Sequence, residues 1–192
     1  MRRKNVLMIS YFFPPRGGPG VQRTLYFAKY LSDFGYRPLV VHGGRRPAGG
    51  PQDTSLLEEL NSQVLRFEFP AFEPACLTRP FSKWLNRRGR ISQGLAWRLD
   101  RLTGYLEQCV SPDELVFWAD RMTNPVIQLA KRYKARMIYS TADPFSNHYL
   151  AWRVKKALGL PWVADFRDLW TQDQRYNPKP RFRARRDSRY EQ

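Results

Sequence analysis

Carboxylates and an arginine occur together in two short segments of the chain. The segment DFRD contains Asp165, Arg167 and Asp168, and the segment TADP contains Asp143. At the end of a strand, a carboxylate can accept a proton from a hydroxyl, and a neighbouring arginine can bind phosphate or orient the carboxylate. The alternatives are an internal salt bridge or a helix N-cap in DFRD, and a helix N-cap at Asp143. We predict Asp143, Asp165 and Asp168 as candidate catalytic residues and Arg167 as a candidate phosphate ligand.

Three glycines, Gly17, Gly18 and Gly20, lie in the segment FFPPRGGPG directly before a predicted helix. Glycine lets the backbone approach a ligand closely, and the free N–H groups and dipole of a helix N-terminus favour an anion. A tight turn would account for the same glycines. A dinucleotide fingerprint is excluded because Arg23 stands where its third glycine belongs, and a P-loop is excluded because its Lys and Ser/Thr are missing. We predict a phosphate-binding loop.

His148 lies one turn into the helix predicted after TADP. A single histidine without a partner is more often a packing or surface residue than a catalyst. We include His148 with the three glycines and Arg167 as a candidate contact to substrate or phosphate.

The elements that position these residues alternate between strand and helix. Apolar runs predict the strands, and apolar residues that recur every three or four positions predict the helices. Leu25, Ala28, Leu31 and Phe34 form one such helical face, and Gly35 is predicted to end that helix. The predicted order is strand 5–11, helix 21–34, strand 37–42, short helix 55–60, strand 64–69, helix 123–133, strand 135–140, helix 145–158 and strand 160–166.

This alternation predicts an α/β fold with a Rossmann-like, doubly wound parallel sheet. Ligands bind such a sheet at the carboxyl ends of its strands. The segments FFPPRGGPG, TADPFSNH and DFRDLW each follow a predicted strand. The sequence therefore predicts that all three meet at one edge of the sheet.

The composition is that of a folded and strongly basic domain. The chain has 192 residues, 42% of them apolar, and its 33 Lys and Arg against 17 Asp and Glu give a net charge of +16. One core fits this length, and the charge predicts attraction to polyanions. Cys76 and Cys109 predict free thiols in a reducing cytosol, without a disulfide framework or a metal site. No apolar run is long enough to cross a membrane, and the N-terminal run predicts a strand.

Three stretches of the chain resemble the N-terminal domain of group 1 (family 4) glycosyltransferases: YFFPPRGGPGVQRTLYFAKYLSDFGYRPLVV, STADPFSNH and GLPWVADFRDLWTQ. The resemblance implies one domain of the two-domain GT-B architecture over residues 1–172. Residues 173–192 would be a basic tail or the start of an interdomain connection, and their composition predicts disorder. In that family the glycine-rich loop lies near the donor phosphates. Many relatives have a histidine near the reacting sugar, in the loop that matches TADP. This loop has no histidine here, so the resemblance leaves Asp143 or the DFRD carboxylates to take its place.

The resemblance also implies a reaction, in which a hexose-type sugar is transferred from a nucleotide sugar in envelope polysaccharide or glycolipid assembly. This domain would bind the sugar or lipid-linked acceptor, without a metal or other cofactor. A C-terminal domain, which these residues do not include, would bind most of the nucleotide-sugar donor. We therefore expect no sugar transfer by this chain alone.

Basic and aromatic residues alternate between residues 79 and 101, where Trp84, Arg87, Arg88 and Arg90 are predicted to face a membrane. Such a segment favours an anionic surface by about 1 kcal/mol for each basic residue, and a solvated helix face is the alternative. We expect a cytoplasmic protein, peripheral at the inner face of the membrane. The competing functions are a basic nucleic-acid-binding module and a catalytically silent interaction domain. Because the sequence has no nucleic-acid-binding signature, no nucleic-acid partner is expected.

Overall fold

A computed structural model describes residues 3–44, 52–70, 97–98, 101–102, 110–167, 170–172 and 181–191. Its contacts divide the chain into two compact units. The first unit consists of Met1–Ala71 and Phe117–Asp168, and the second consists of Phe72–Val116 and Leu169–Gln192.

The first unit contains a five-stranded sheet in the order β3-β2-β1-β4-β5, and every neighbouring pair is parallel. This arrangement confirms the predicted Rossmann-like α/β fold. The strand order reverses at β1, because the chain adds β2 and β3 on one side and β4 and β5 on the other. The strands are β1 (Lys4–Ile9), β2 (Tyr36–His42), β3 (Leu65–Glu68), β4 (Ala135–Thr141) and β5 (Trp162–Asp165).

Helices connect these strands, with one further helix near the C-terminus. The helices are α1 (Pro19–Leu31), α2 (Val116–Arg132), α3 (Ser146–Leu158) and α4 (Arg181–Glu191), and 3₁₀ turns occupy Ser32–Phe34 and Ser55–Leu57. The helix predicted from residue 123 thus begins earlier, at Val116. Pro125, a residue type that favours the first turn of a helix, lies inside α2.

The local sequence explains both ends of α1. Gly18 is its N-cap with a φ of 104°, and Pro19 follows at the first helical position, where its missing N–H is not needed. Gly35 adopts the left-handed conformation at a φ of 78° and ends the 3₁₀ turn, as predicted. The prediction that Phe34 shares the buried face of Leu25 is wrong, since Phe34 is 76% exposed. The 3₁₀ turn changes the helical period before Phe34 and so turns this residue away from that face.

The core lies around the two central strands. Leu7, Met8 and Ile9 of β1 and Leu39 and Val40 of β2 are all fully buried. Parallel strands covered on both faces need such continuous apolar runs. Each of these side chains contributes about 1.5–3 kcal/mol of burial free energy, so the centre of the sheet is a rigid support for the loops at its edges.

The second unit includes α4, which corrects the prediction of disorder after residue 173 for its residues 181–191. Asp187 of α4 is fully buried, and its carboxylate accepts hydrogen bonds from Ser111 Oγ at 2.5 Å and Arg183 Nε at 3.3 Å. Arg183 also donates to the carbonyl of Pro112 at 3.0 Å. Polar contacts hold this helix in place, and its sequence has little apolar periodicity. For this reason the apolar pattern of the sequence did not predict it.

Candidate functional site

The carboxyl ends of β1, β4 and β5 lie at one edge of the sheet in the first unit. The glycine-rich loop follows β1, the TADP loop follows β4, and Phe166 and Arg167 follow β5. Since β1 and β4 are the neighbours between which the strand order reverses, their loops flank the crevice where open α/β sheets bind ligands. The predicted meeting of the three segments is confirmed for their described residues in the first unit, which in DFRDLW are those up to Arg167.

The glycine-rich loop presents backbone at the N-terminus of α1. Gly18 is exposed, and its φ of 104° is a conformation that glycine adopts without strain. Gly20 lies in the first turn, where a Cβ atom would be 3.4 Å from Nη1 of Arg167. The structure therefore brings two predicted phosphate contacts together, the N-terminus of α1 and the guanidinium of Arg167.

Arg16 lies in the same loop and was not among the residues predicted for the site. It is only 5% exposed. Its Nε donates to the carbonyl of Gly44, its Nη2 donates to the Tyr11 hydroxyl at 3.4 Å, and its guanidinium lies 4.5 Å from the centre of the Tyr11 ring. Within the described residues no carboxylate pairs with it. Burial of a cation is costly, and among the described residues a carbonyl, a hydroxyl and an aromatic ring offset that cost.

Asp165 is held by three donors. Oδ1 accepts from Arg23 Nη1 at 2.8 Å, and Oδ2 accepts from the Tyr139 hydroxyl at 2.7 Å and from Thr141 Oγ1 at 3.3 Å. Burial and then the Asp165 carboxylate raise the pKa of Tyr139, which keeps this hydroxyl a donor. Asp165 thus forms the internal salt bridge that was the alternative to a catalytic role.

Of the other two candidate carboxylates, Asp143 and Asp168, the structure describes only Asp143. Asp143 is exposed in the loop between β4 and α3. It is not the N-cap of α3, because that position belongs to Phe145. Asp168 lies outside the described residues.

His148 is buried among aromatic rings rather than open to a ligand. It is 4% exposed, its ring centre lies 4.5 Å from that of Phe166, and its Nδ1 lies 2.7 Å from Ser140 Oγ. Burial lowers the pKa of His148 to about 4, so the ring is neutral at pH 7. The predicted contact to phosphate would therefore lack a positive charge, and packing is the role that the geometry supports.

Asn147, which the sequence did not single out, joins the loops after β1 and β4. It is 1% exposed, its Oδ1 accepts from the Tyr11 backbone N–H at 3.0 Å, and its Nδ2 donates to the Thr141 carbonyl at 2.9 Å. The one feature of the sequence that could have indicated a role for Asn147 was its place beside His148 in the TADPFSNH segment. Asn147 fixes the two sides of the crevice relative to each other.

The four residues predicted to face a membrane, Trp84, Arg87, Arg88 and Arg90, lie outside the described residues. In the second unit, Trp97 from the same basic segment is 59% exposed, and the Arg101 guanidinium lies 5.2 Å from its ring. Across the part of the chain that the structure describes, no helix has the length and apolar character to cross a membrane.

Comparisons with known proteins give distant similarities. No protein-family model and no curated protein matches this chain. A glycosyltransferase structure from Rickettsia africae ESF-5 is similar at 15% identity and a TM-score of 0.44, over 85% of this chain and 30% of that one. The C-terminal domain of the PF1911 hydrogenase from Pyrococcus furiosus is similar at 12% identity and the same TM-score, over 84% of this chain and 90% of that one. Similarities this distant do not assign a function.

Proposed function

We propose that this chain is the acceptor-side domain of a nucleotide-sugar-dependent glycosyltransferase with the two-domain GT-B architecture of family 4. One observation carries the proposal: the loops after β1, β4 and β5 share one edge of a parallel sheet, and each loop belongs to one of the three stretches that resemble that family. Open α/β sheets bind their ligands at this edge.

The proposed phosphate contacts are the N-terminus of α1 and the two arginines beside it. Gly18 and Gly20 keep side chains away from the first turn, Arg16 supplies a buried positive charge, and Arg167 lies against Gly20. A bound phosphate would interact favourably with the helix dipole and would neutralise the charge of Arg16.

Asp143 is the proposed acceptor of the proton from the acceptor hydroxyl. It is exposed in the loop after β4, where an acceptor can reach it from solvent. Both oxygens of Asp165 accept hydrogen bonds, from Arg23 and from Tyr139, which hold this carboxylate between β4 and β5. Asp165 is therefore proposed to position β4 and β5, and Asp168 stays a candidate.

The donor's nucleotide is bound mainly by a second domain in this proposal, and no metal takes part. The acceptor is a sugar or a lipid-linked sugar, and the product is a hexose-type glycoside of an envelope polysaccharide or glycolipid. The proposed location is the inner face of the membrane, where the basic segment around Arg87 would bind anionic lipid.

Amide NMR of the labelled chain, titrated separately with UDP-glucose and GDP-mannose, tests the proposal. We expect amide shifts at residues 17, 18, 20, 143, 145 and 165–167, because this backbone surrounds the proposed site, and we expect no sugar transfer. Arg167→Ser should weaken binding about tenfold, since a charge-assisted contact contributes roughly 1.5–3 kcal/mol. The control Arg121→Ser removes an exposed arginine of α2 and should leave binding unchanged.

Two results would contradict the proposal in different ways. Shifts confined to other residues would reject the site. Robust sugar transfer by the chain alone would reject the need for a donor domain.

A further inference from the structure

A basic cavity lies at the amino edge of the same sheet, opposite the candidate site. It has a volume of about 760 Å³ and is lined by the first residues of β1, β2 and β4 and by the turn before β4, all within the first unit. Its lining includes four basic residues and two tyrosines: Arg3, Lys4, Lys134, Arg136, Tyr36 and Tyr133. No carboxylate lines it among the described residues.

The four basic side chains of this cavity have no internal counter-ion. None of them forms an ion pair or a side-chain hydrogen bond with another described residue. Elsewhere in the first unit, Arg23, Lys29 and Arg153 each pair with a carboxylate. Four like charges around one concavity repel each other, and a multivalent anion would relieve that repulsion.

The backbone of Lys134 gives a second, independent observation. Its φ of 51° lies in the left-handed region, and within the described chain no other residue besides glycine has a positive φ. Glycine adopts this conformation freely, whereas an L side chain is strained there. This turn ends α2, where the Lys134 N–H donates to the Lys131 carbonyl at 3.0 Å, and it places the exposed Lys134 in the lining of the cavity.

The size and lining of the cavity indicate the class of ligand. A volume of about 760 Å³ is within the usual range for small-molecule sites and exceeds the space needed for one phosphate group. Arg136 can bind a phosphate through two parallel N–H groups, while the lysines act as point charges. Tyr36 and Tyr133 are half-buried and offer ring surface to the rest of a ligand.

A smaller cavity of about 450 Å³ shares Arg3, Lys4 and Tyr36 with the first one. It adds Asp33 and the 76% exposed ring of Phe34. An apolar or hydroxyl-bearing extension of the ligand would fit here, where one carboxylate and one aromatic ring are added to Arg3 and Lys4.

We propose that the amino-edge cavity binds an organic phosphate, with the phosphate held by Lys4, Lys134 and Arg136. This site lies at the opposite edge from the proposed transferase site and does not depend on it.

The first test is an amide NMR titration of the full chain with inorganic pyrophosphate at low salt. Shifts should occur at residues 4, 5, 36, 134 and 136, whatever happens at residues 17–20. Because the two groups of amides lie at opposite edges of the sheet, failure of this proposal and failure of the transferase proposal are separate results.

Two variants test the cavity itself. Lys134→Gly removes a cation and relieves the left-handed strain, so the urea midpoint should not fall while pyrophosphate affinity at the amino edge decreases about tenfold. Arg136→Ser should also decrease it about tenfold. The control Arg121→Ser lies in α2, about 16 Å along the helix axis from its C-terminal end at Arg132, and should change affinity less than twofold.

Cosedimentation with vesicles of phosphatidylglycerol and phosphatidylcholine in equal parts distinguishes a lipid headgroup from a soluble phosphate ligand. Both results support phosphate recognition: vesicle binding that Lys134→Gly weakens indicates a lipid headgroup, and unchanged vesicle binding indicates a soluble ligand. Equal loss of pyrophosphate affinity in Arg121→Ser would overturn the proposal. The proposal would also be overturned if pyrophosphate caused no amide shift at the amino edge and a single-stranded oligonucleotide bound there through Arg136.

Discussion

Tyr11 is the residue around which the carboxyl edge is packed. Its ring is 1% exposed, meets Trp118 edge to face at 5.1 Å, and carries the Arg16 guanidinium 4.5 Å from its centre. On another side it covers Gly43, where a Cβ atom would lie 2.1 Å from a ring carbon. Glycine at position 43 is therefore required by the position of Tyr11 and, through Tyr11, by the position of Arg16.

Gly43→Ala should destabilise the protein by about 1–3 kcal/mol, because the ring of Tyr11 or the backbone must move to admit a methyl group. Urea unfolding followed by circular dichroism measures the change. Gly20→Ala is the matched control, since its methyl group would meet only the flexible end of Arg167 at 3.4 Å. Equal stability of the two variants would contradict this account of Gly43.

At the scale of elements, the crevice depends on hydrogen bonds between loops that are distant in sequence. Asn147 at the start of α3 is bonded to the backbone of Tyr11 after β1 and of Thr141 at the end of β4. Backbone groups buried without partners are costly, and these two lie where the strand pairing has ended. One amide side chain therefore keeps the β1 and β4 loops in register.

Asn147→Ala should cost about 2–5 kcal/mol, because a buried N–H and a buried carbonyl each lose a partner at about 1–3 kcal/mol. The exposed Asn124→Ala in α2 is the control and should change stability by less than about 0.5 kcal/mol. Thermal or urea unfolding gives both values. A small effect of Asn147→Ala would mean that the two loops are held by other contacts.

The elements that the sequence predicted well are those whose signals are local. The apolar runs of β1 and β2 and the turn at Gly35 depend on neighbouring residues, and the meeting of the three loops then follows from parallel pairing. Arg16 and Asn147 were missed because their partners are far away in the chain, Gly44 at 28 residues and Tyr11 at 136. The helix α4 was missed because a buried carboxylate, not an apolar face, anchors it.

At the scale of the whole molecule, described basic residues lie at both edges of the sheet in the first unit. Arg16 and Arg167 lie at the carboxyl edge, and Lys4, Lys134 and Arg136 line the amino edge. The two proposed anion sites are therefore separate, one at each edge of this sheet.

The chain has only two histidines, His42 and His148, and both are buried in the first unit. Burial is the main cause that lowers the pKa of each to about 4, and the charges of Arg66 and Arg16 add to it at His42. In the unfolded chain both would titrate near pH 6.5. Between these values the unfolded state binds more protons than the folded state, so stability falls as the pH falls.

Unfolding free energy should therefore be highest above about pH 6.5 and should decrease by about 2 kcal/mol for each histidine between pH 7 and pH 5. Urea unfolding at a series of pH values measures this slope. His148→Asn keeps a polar group near Ser140 but removes one titrating ring, so the slope should fall by about half even if the variant is less stable at pH 7. An unchanged slope in that variant would mean that His148 is protonated in the folded protein, and the neutral, packed ring assigned to it would be wrong.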